Sequence, residues 1–98
     1  MYARLTATVV GPAEPDSTAE IFEQIVPTMR DLDGYRGFVV LSDLEEDRFL
    51  VLTLWETAEA LEASEEIADR IKAAETAKRD FEIESTARYR VDRFDLTQ

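Results

Sequence analysis

The sequence contains no histidine, no cysteine and no asparagine among its 98 residues. Without cysteine there can be no disulfide, thiolate nucleophile or sulfur-ligated metal. Without histidine the chain lacks the commonest metal ligand, the imidazole that binds haem iron and the base of Ser-His and Cys-His dyads. Without asparagine no amide of that residue can stabilise an oxyanion. We therefore expect neither a metal nor another cofactor.

Long hydrophobic runs and basic charge are also scarce. No run approaches the ~20 apolar residues of a membrane span, and residues 1–10 lack the basic start and long apolar core of a signal peptide. The 22 acidic residues outnumber the 11 basic ones and give a net charge of −11. This charge disfavours contact with nucleic acid and with anionic membranes. We expect a cytoplasmic protein that binds neither.

The length and composition predict one domain over residues 1–98, since 45% of the residues are hydrophobic. A chain of this size buries about two thirds of its unfolded surface, which gives an adequate but thin core.

Four segments have the pattern of β-strands. Residues 2–10 and 81–94 alternate between two faces, and residues 36–42 and 48–55 are rich in strand-forming side chains. The acidic link 43–47 is short enough for a hairpin. It lacks the glycine and the glutamate spacing of a calcium loop, so we interpret it as a solvated turn.

Two segments have helical periodicity. The first begins near Ser17, which has capping-box spacing with Glu20, and its apolar stripe continues beyond Pro27. We expect a kink at Pro27, because proline removes one helical hydrogen bond. Gly34 is suited to the left-handed residue that follows a helix.

The second helical segment begins at Thr57, a good N-cap, and its pattern runs to about residue 78. Ser64 could cap a second segment. One long helix and two shorter ones both remain open.

The order strand, helix, hairpin, helix, strand predicts an α+β fold, the ferredoxin-like βαββαβ sandwich with an antiparallel four-stranded sheet. Two helices cover only one face of such a sheet. Residues 38–41 and 49–54 nevertheless place apolar side chains on both faces. A second copy of the sheet is the simplest cover for the other face, so the sequence predicts a homodimer.

The most distinctive residues are GYRGF at 34–38, LWET at 54–57 and AEAL at 58–61. This combination resembles the antibiotic-biosynthesis-monooxygenase-like family, in particular its small uncharacterised members. The resemblance implies a dimeric α/β barrel in which two ferredoxin-like sheets pack face to face. The family includes cofactor-independent oxygenases of polyphenol or quinol substrates, haem-degrading oxygenases and many members without a known activity.

Carried over residue by residue, the resemblance is partial. Trp55 matches the family's tryptophan that borders a pocket between sheet and helices. The asparagine and tyrosine of the polyphenol oxygenases correspond to Val51 and Leu61, which are apolar. The haem-degrading branch uses an asparagine on the first strand and a histidine on the second helix, and this sequence has neither residue type.

Five residues are candidates for ligand binding, and no catalytic residue is identified. The five are Trp55, Leu61, Val51, Tyr89 and Arg88. Trp55 could stack on a flat ligand or belong to the core. The phenol of Tyr89, like those of Tyr2 and Tyr35, could hydrogen-bond a ligand oxygen.

Three arginines of the first and last strands, Arg4, Arg88 and Arg90, allow two interpretations. They could hold an anionic or phenolate oxygen. The interpretation we favour pairs them across strands with the acidic residues Glu82, Glu84 and Asp92.

Three functions remain open. The protein could bind a small aromatic or apolar metabolite in a pocket between sheet and helices. It could be a cofactor-independent monooxygenase, or a structural or regulatory dimer without a ligand. An enclosed cavity beside Trp55 would favour the first function.

Overall fold

The computed structural model describes residues 1–11 and 18–97, and the side chains of the first helix from Phe22 onward. The predicted capping box of Ser17 and Glu20 lies outside the described side chains. The elements follow in the predicted order. They are β1 (Tyr2–Val10), α1 (Thr18–Arg30), β2 (Tyr35–Ser42), β3 (Arg48–Trp55), α2 (Ala58–Ala63), α3 (Glu65–Lys78) and β4 (Phe81–Arg90).

The four strands form one sheet in the order β2-β3-β1-β4, and every neighbouring pair is antiparallel. This confirms the predicted ferredoxin-like topology, in which β3 lies between the two strands joined through α1. In the described part of the chain, no helix is long and apolar enough to cross a membrane.

The polar side chains of β1 face the helices. Arg4, Thr6 and Thr8 lie beneath the helical layer, whereas the alternating residues Ala3 and Ala7 face the opposite side. Apolar residues of β1 therefore lie on the face without helices. This arrangement is the reverse of the usual one, in which the apolar row packs under the helices.

Aromatic packing joins α1 to the sheet. The Phe22 ring stacks on Phe38 with a centroid distance of 5.7 Å and meets Phe49 edge-on at 6.1 Å. Phe49 in turn packs edge-on against Phe81 at 5.7 Å. These four rings link α1, β2, β3 and β4 on the helical side of the sheet.

The helix α1 continues through Pro27 to Arg30, as the unbroken apolar stripe predicts. The chain then turns, and Gly34 adopts φ 79°, which confirms the predicted left-handed residue. A side chain at Gly34 would also collide with Ala60, whose Cβ lies 2.5 Å from the position of the missing Cβ. Glycine is therefore required here both by the backbone and by the close approach of α2.

The second helical segment is divided at Ser64, which settles the alternative that the sequence left open. Thr57 caps α2, since its Oγ1 accepts a hydrogen bond of 3.0 Å from the Ala60 N–H. Ser64 makes no side-chain cap to α3. Its hydroxyl donates to the Leu61 carbonyl at 2.7 Å instead.

The acidic link between β2 and β3 is a hairpin turn organised by Asp43. Its Oδ1 accepts from the Glu45 and Glu46 N–H groups at 2.9 and 3.2 Å, and its Oδ2 accepts from Arg48 Nε at 2.9 Å. The backbone hydrogen bond from Glu45, followed by the bond from Arg48, lowers the pKa of the Asp43 carboxyl. The carboxylate thus has a structural role in closing the hairpin.

Candidate functional site

A cavity of about 110 Å³ lies between the sheet and the helices α1 and α3. Its walls are mainly apolar. They include Phe22, Ile25 and Met29 of α1, Ile67, Ala68 and Ile71 of α3, and Phe49, Val51, Phe81 and Ile83 of the sheet. An apolar cavity of about 150 Å³ is known to hold benzene, so the space here is on the scale of one small ring.

Trp55 forms the end of the cavity where β3 leads into α2. Its ring is completely buried, and its Nε1–H donates to Thr53 Oγ1 at 3.0 Å. Tyr35 packs edge-on against it with a centroid distance of 5.6 Å. Trp55 is therefore a core residue and a cavity wall at once, which combines the two interpretations that the sequence allowed.

Arg4 is the most unusual polar group of the cavity, because its side chain is buried in the middle of the sheet. Its Nη2 donates to the Leu61 carbonyl at 2.8 Å and to Ser64 Oγ at 2.9 Å. The Arg4 guanidinium carbon also lies 5.9 Å from the centre of the Trp55 ring, in cation–π range. The arginine thus ties β1 to the junction of α2 and α3.

The charge of Arg4 is only partly compensated. Burial lowers the pKa of its guanidinium, and the neighbouring Arg88 adds to this effect, while Glu65 and Asp69 act in the opposite direction. Neither of these carboxylates, nor that of any other described residue, lies within ion-pair distance of Arg4. A buried cation without a contacting counter-ion is energetically costly.

Lys72 of α3 brings a second positive charge to the cavity. Its Nζ donates to Thr86 Oγ1 of β4 at 3.0 Å. Burial lowers the pKa of Lys72, and repulsion from Arg4 lowers it further. The two cations are therefore electrostatic neighbours within a protein whose net charge is −11.

Threonine hydroxyls complete the polar floor. Thr6 and Thr8 of β1 are buried and line the cavity. In the described ranges 1–11 and 18–97, the side chains of these two threonines make no hydrogen bond. Buried hydroxyls usually have a partner, so both can accept from or donate to a bound molecule.

The candidate residues from the sequence fall into two groups. Trp55 and Val51 line the cavity. Leu61, Arg88 and Tyr89 instead border a shallower hollow of about 220 Å³ beside α2, together with Tyr2, Ala58, Glu62 and Arg90. Because the second helical segment breaks at Ser64, α3 lines the cavity, and the α2 turn that carries Leu61 does not.

The favoured cross-strand pairing is wrong for Arg4 and Arg88, whereas Arg90 does pair with one of the expected acids. Arg88 pairs with Glu65 of α3, and Arg90 pairs with its chain neighbour Asp92 at 2.9 Å. Arg4 directly faces Arg88 in the β1–β4 register, so two like charges lie opposite each other. Strand alternation alone cannot reveal an acidic partner that a helix supplies, such as Glu65.

Two sets of cavity residues were not predicted from the sequence. They are Lys72 and the hydroxyl groups of Thr6 and Thr8. Nothing in the sequence shows that Lys72 reaches the cavity, because this depends on how α3 packs against β4. The alternation of β1 did contain a usable signal, since its polar row matches the three polar residues of the cavity floor. Among the described residues, no group of three or more acidic side chains is arranged to hold a metal ion.

Two relatives with known sequences are uncharacterised proteins of Mycobacterium tuberculosis. They are 33% and 35% identical over 67 and 68 residues, which cover 67% of this chain in both cases. The matched region spans only 28% and 30% of those relatives. The chain therefore corresponds to less than a third of their length.

Solved structures with the same fold include a haem-degrading protein of M. tuberculosis with two haems bound in its active site. It superposes with a TM-score of 0.77 and 22% identity, covering 99% of this chain and 100% of the other. A Deinococcus radiodurans protein described as an antibiotic biosynthesis monooxygenase gives a TM-score of 0.72 and 14% identity, covering 100% and 99%. At these identities the likeness establishes the fold alone.

The family model named antibiotic biosynthesis monooxygenase matches residues 1–76, which include β1, the hairpin, Trp55 and most of α3. This match covers more than half of the chain and agrees with the resemblance of residues 34–61. The chain belongs to the antibiotic biosynthesis monooxygenase family.

Proposed function

We propose that this chain is a binding protein for a small aromatic or apolar metabolite, which it holds in the cavity between the sheet and helices α1 and α3. The observation that carries the proposal is the combination of apolar walls with a few convergent polar groups. Trp55, Phe22 and Phe49 offer ring surfaces, while Arg4 and Lys72 offer donors. Pockets that bind small molecules are mostly apolar with a few placed polar groups.

We propose further that the protein works as a homodimer. The sheet face opposite the helices exposes a continuous apolar surface, which we call the open face. It comprises Leu5, Val39, Leu41, Leu50, Leu52, Ala87 and Tyr89, with Ala3, Ala7 and Leu54 buried between them. Val39 and Leu41 at one edge of this face are 42% and 48% exposed, and Tyr89 at the other edge is 52% exposed, which is unusual for large apolar side chains on one face.

A second copy of the chain is the occupant that best suits the open face. The centre of this face is apolar, so two copies related by a twofold axis can pack without bringing like charges together at the centre. The charged Arg48–Glu84 pair, with an N–O distance of 3.7 Å, lies towards the edge. Sheet-to-sheet packing of this kind also agrees with the dimeric barrel that the family resemblance implies.

Haem does not suit this cavity. Haem iron is bound by histidine, cysteine, methionine or tyrosine, and the chain has no histidine or cysteine. Among the described residues the cavity wall offers only Met29 from this set. The volume of about 110 Å³ is also well below the roughly 300–1,000 Å³ of pockets for larger ligands.

Catalysis of the polyphenol oxygenase type is less well supported than binding. Val51, at the position of the family's asparagine, supplies only apolar surface to the cavity. Leu61, at the position of the family's tyrosine, is buried outside the cavity wall. Oxygen consumption with a polyphenol substrate, abolished in Trp55→Phe, would favour the oxygenase instead.

Filling the cavity is expected to abolish binding without damaging the fold. Ala68→Leu adds three carbon atoms to the cavity wall. We expect the free energy of unfolding to stay constant or to rise by about 0.5–2 kcal/mol. Phenol and benzoate should raise the melting temperature of the wild-type protein and fail to do so for Ala68→Leu, because ligand binding to the folded state alone stabilises it.

Ala74→Leu is the matched control, since Ala74 lies on the same helix but is exposed and outside the cavity wall. It should keep the wild-type response to both compounds. If neither compound shifts the wild-type melting temperature at millimolar concentration, or if Ala68→Leu responds like wild type, the proposed binding function is wrong. A structural dimer without a ligand would then be the better account.

A further inference from the structure

Arg4 retains hydrogen-bonding capacity that the protein does not use. A guanidinium has five N–H donors. Both hydrogen bonds of Arg4 come from Nη2, and its Nε and Nη1 donate to no described residue. Arg4 is nevertheless only 4% exposed, so acceptors for these donors have to lie in the cavity that Arg4 lines. Buried charged donors are rarely left without an acceptor, so these N–H groups are available to a molecule bound in the cavity.

Lys72, which is half-buried, also has unused donors on the opposite wall of the cavity. Its ammonium has three donors, and Thr86 accepts from one of them. It makes no ion pair with a carboxylate of the described part of the chain. Glu75, the acidic residue of the cavity wall, is held by Arg79 at 3.0 Å and is largely buried in that pair. Neither Lys72 nor Arg4 is therefore neutralised by the cavity's own acid.

The charges around the cavity thus favour a ligand with one negative group, bound beside Arg4 and Lys72. The surface as a whole repels anions, because the chain carries a net charge of −11. Arg4 of the floor and Lys72 of the α3 wall make the cavity a local exception, and Thr6 and Thr8 add two free hydroxyls to the floor. The planar guanidinium is well matched to the two oxygens of a carboxylate.

The rest of the wall fits a ring and not a second charged group. Phe22, Phe49 and Phe81 form a connected aromatic cluster at centroid distances of 5.7–6.1 Å, and all three line the cavity. A sugar phosphate would place hydroxyl groups against these rings without partners, which is unfavourable. A single aromatic ring with one carboxylate satisfies both the rings and the cations.

We propose that the ligand is a small aromatic monocarboxylate, whose carboxylate binds Arg4 and Lys72 and whose ring packs among Phe22, Phe49 and Phe81. This inference rests on the proposed binding function and specifies its ligand class. In the free protein the two cations are offset only by the non-contacting carboxylates of Glu65 and Asp69, whereas a bound carboxylate contacts both cations directly. These only partly compensated charges lower the stability of the free protein and raise its affinity for an anionic ligand.

The test compares benzoate with benzamide, its neutral counterpart of nearly equal size, by isothermal titration calorimetry. We expect benzoate to bind at least about tenfold more tightly, the usual scale of a charge-assisted hydrogen bond in a desolvated site. Lys72→Met should lower benzoate affinity about fivefold or more and leave benzamide affinity unchanged. Arg4→Met should remove the preference for the anion.

Lys78→Met is the control for the lysine variant, because Lys78 is the only other lysine and lies exposed on the same helix outside the cavity. It should affect neither compound. Equal affinity for benzoate and benzamide, or an equal loss in Lys72→Met and Lys78→Met, would overturn this inference while leaving the binding function intact. Absence of binding by both compounds would overturn the binding function as well.

Discussion

Replacing Val39 by aspartate is expected to convert the protein to a monomer or to prevent its folding. Val39 lies on the open face opposite Leu52, whereas Val40 faces the helices opposite Val51. In a sheet-to-sheet dimer the new carboxylate would be buried without a partner, at a cost of several kcal/mol. An interface of this type buries well over ~1,200 Å² in total, and one unpaired charge buried within it is enough to destabilise it.

Sedimentation velocity at micromolar concentration measures this effect directly. The wild-type protein should sediment as a dimer, and Val39→Asp as a monomer or as unfolded chain. Leu44→Asp is the matched control, because Leu44 is 97% exposed in the hairpin turn, and it should remain dimeric. A wild-type protein that sediments as a monomer would refute the dimer.

Replacing Trp55 by alanine is expected to lower the free energy of unfolding by about 3–5 kcal/mol, because it removes a completely buried ring and leaves a cavity. The substitution also removes the edge-on contact with Tyr35 and the hydrogen bond to Thr53. Trp55→Phe keeps most of the buried surface, so its cost should be much smaller. Chemical denaturation of both variants measures the difference.

The same pair of variants separates the two roles of Trp55. Because the ring also forms part of the cavity wall, Trp55→Phe should weaken binding of aromatic compounds more than it weakens the fold. Equal stability of Trp55→Ala and wild type would contradict the core position. Unchanged ligand affinity in Trp55→Phe would contradict the position at the cavity wall.

The elements of this fold were predictable because local chemistry agrees with tertiary structure along most of the chain. Alternation predicts β1, Gly34 predicts the turn after α1, and Thr57 predicts the start of α2. The strand β4 is shorter than the expected 81–94 and ends at Arg90. Its alternation continues past the point where β1, its only neighbour, ends. Strand length is limited by the partner strand, which alternation cannot reveal.

The cavity was less predictable than the fold. Its position beside Trp55 followed from the family resemblance, but its polar floor depends on which face of β1 the helices cover. Two alternating rows are equivalent in the sequence of a single strand, and only packing decides between them. The meeting of Arg4 with Ser64 also depends on the helix break at Ser64, which the sequence left as one of two alternatives.

Separate contacts hold the helices around the cavity to the sheet. Arg4 holds the junction of α2 and α3 through Leu61 and Ser64, while the Phe22–Phe49 contact holds α1 against the sheet. The space therefore lies between elements that are attached to the sheet at separate points.

The most direct test of the binding function uses the single tryptophan as a reporter inside the cavity wall. Trp55 gives the only indole N–H resonance in a ¹H–¹⁵N spectrum, and this N–H donates to Thr53 Oγ1, another residue of the wall. Titration with benzoate should shift this resonance to saturation in the wild-type protein and leave it unmoved in Ala68→Leu. A resonance that stays fixed in the wild type, or that shifts equally in both proteins, would contradict the proposed ligand cavity.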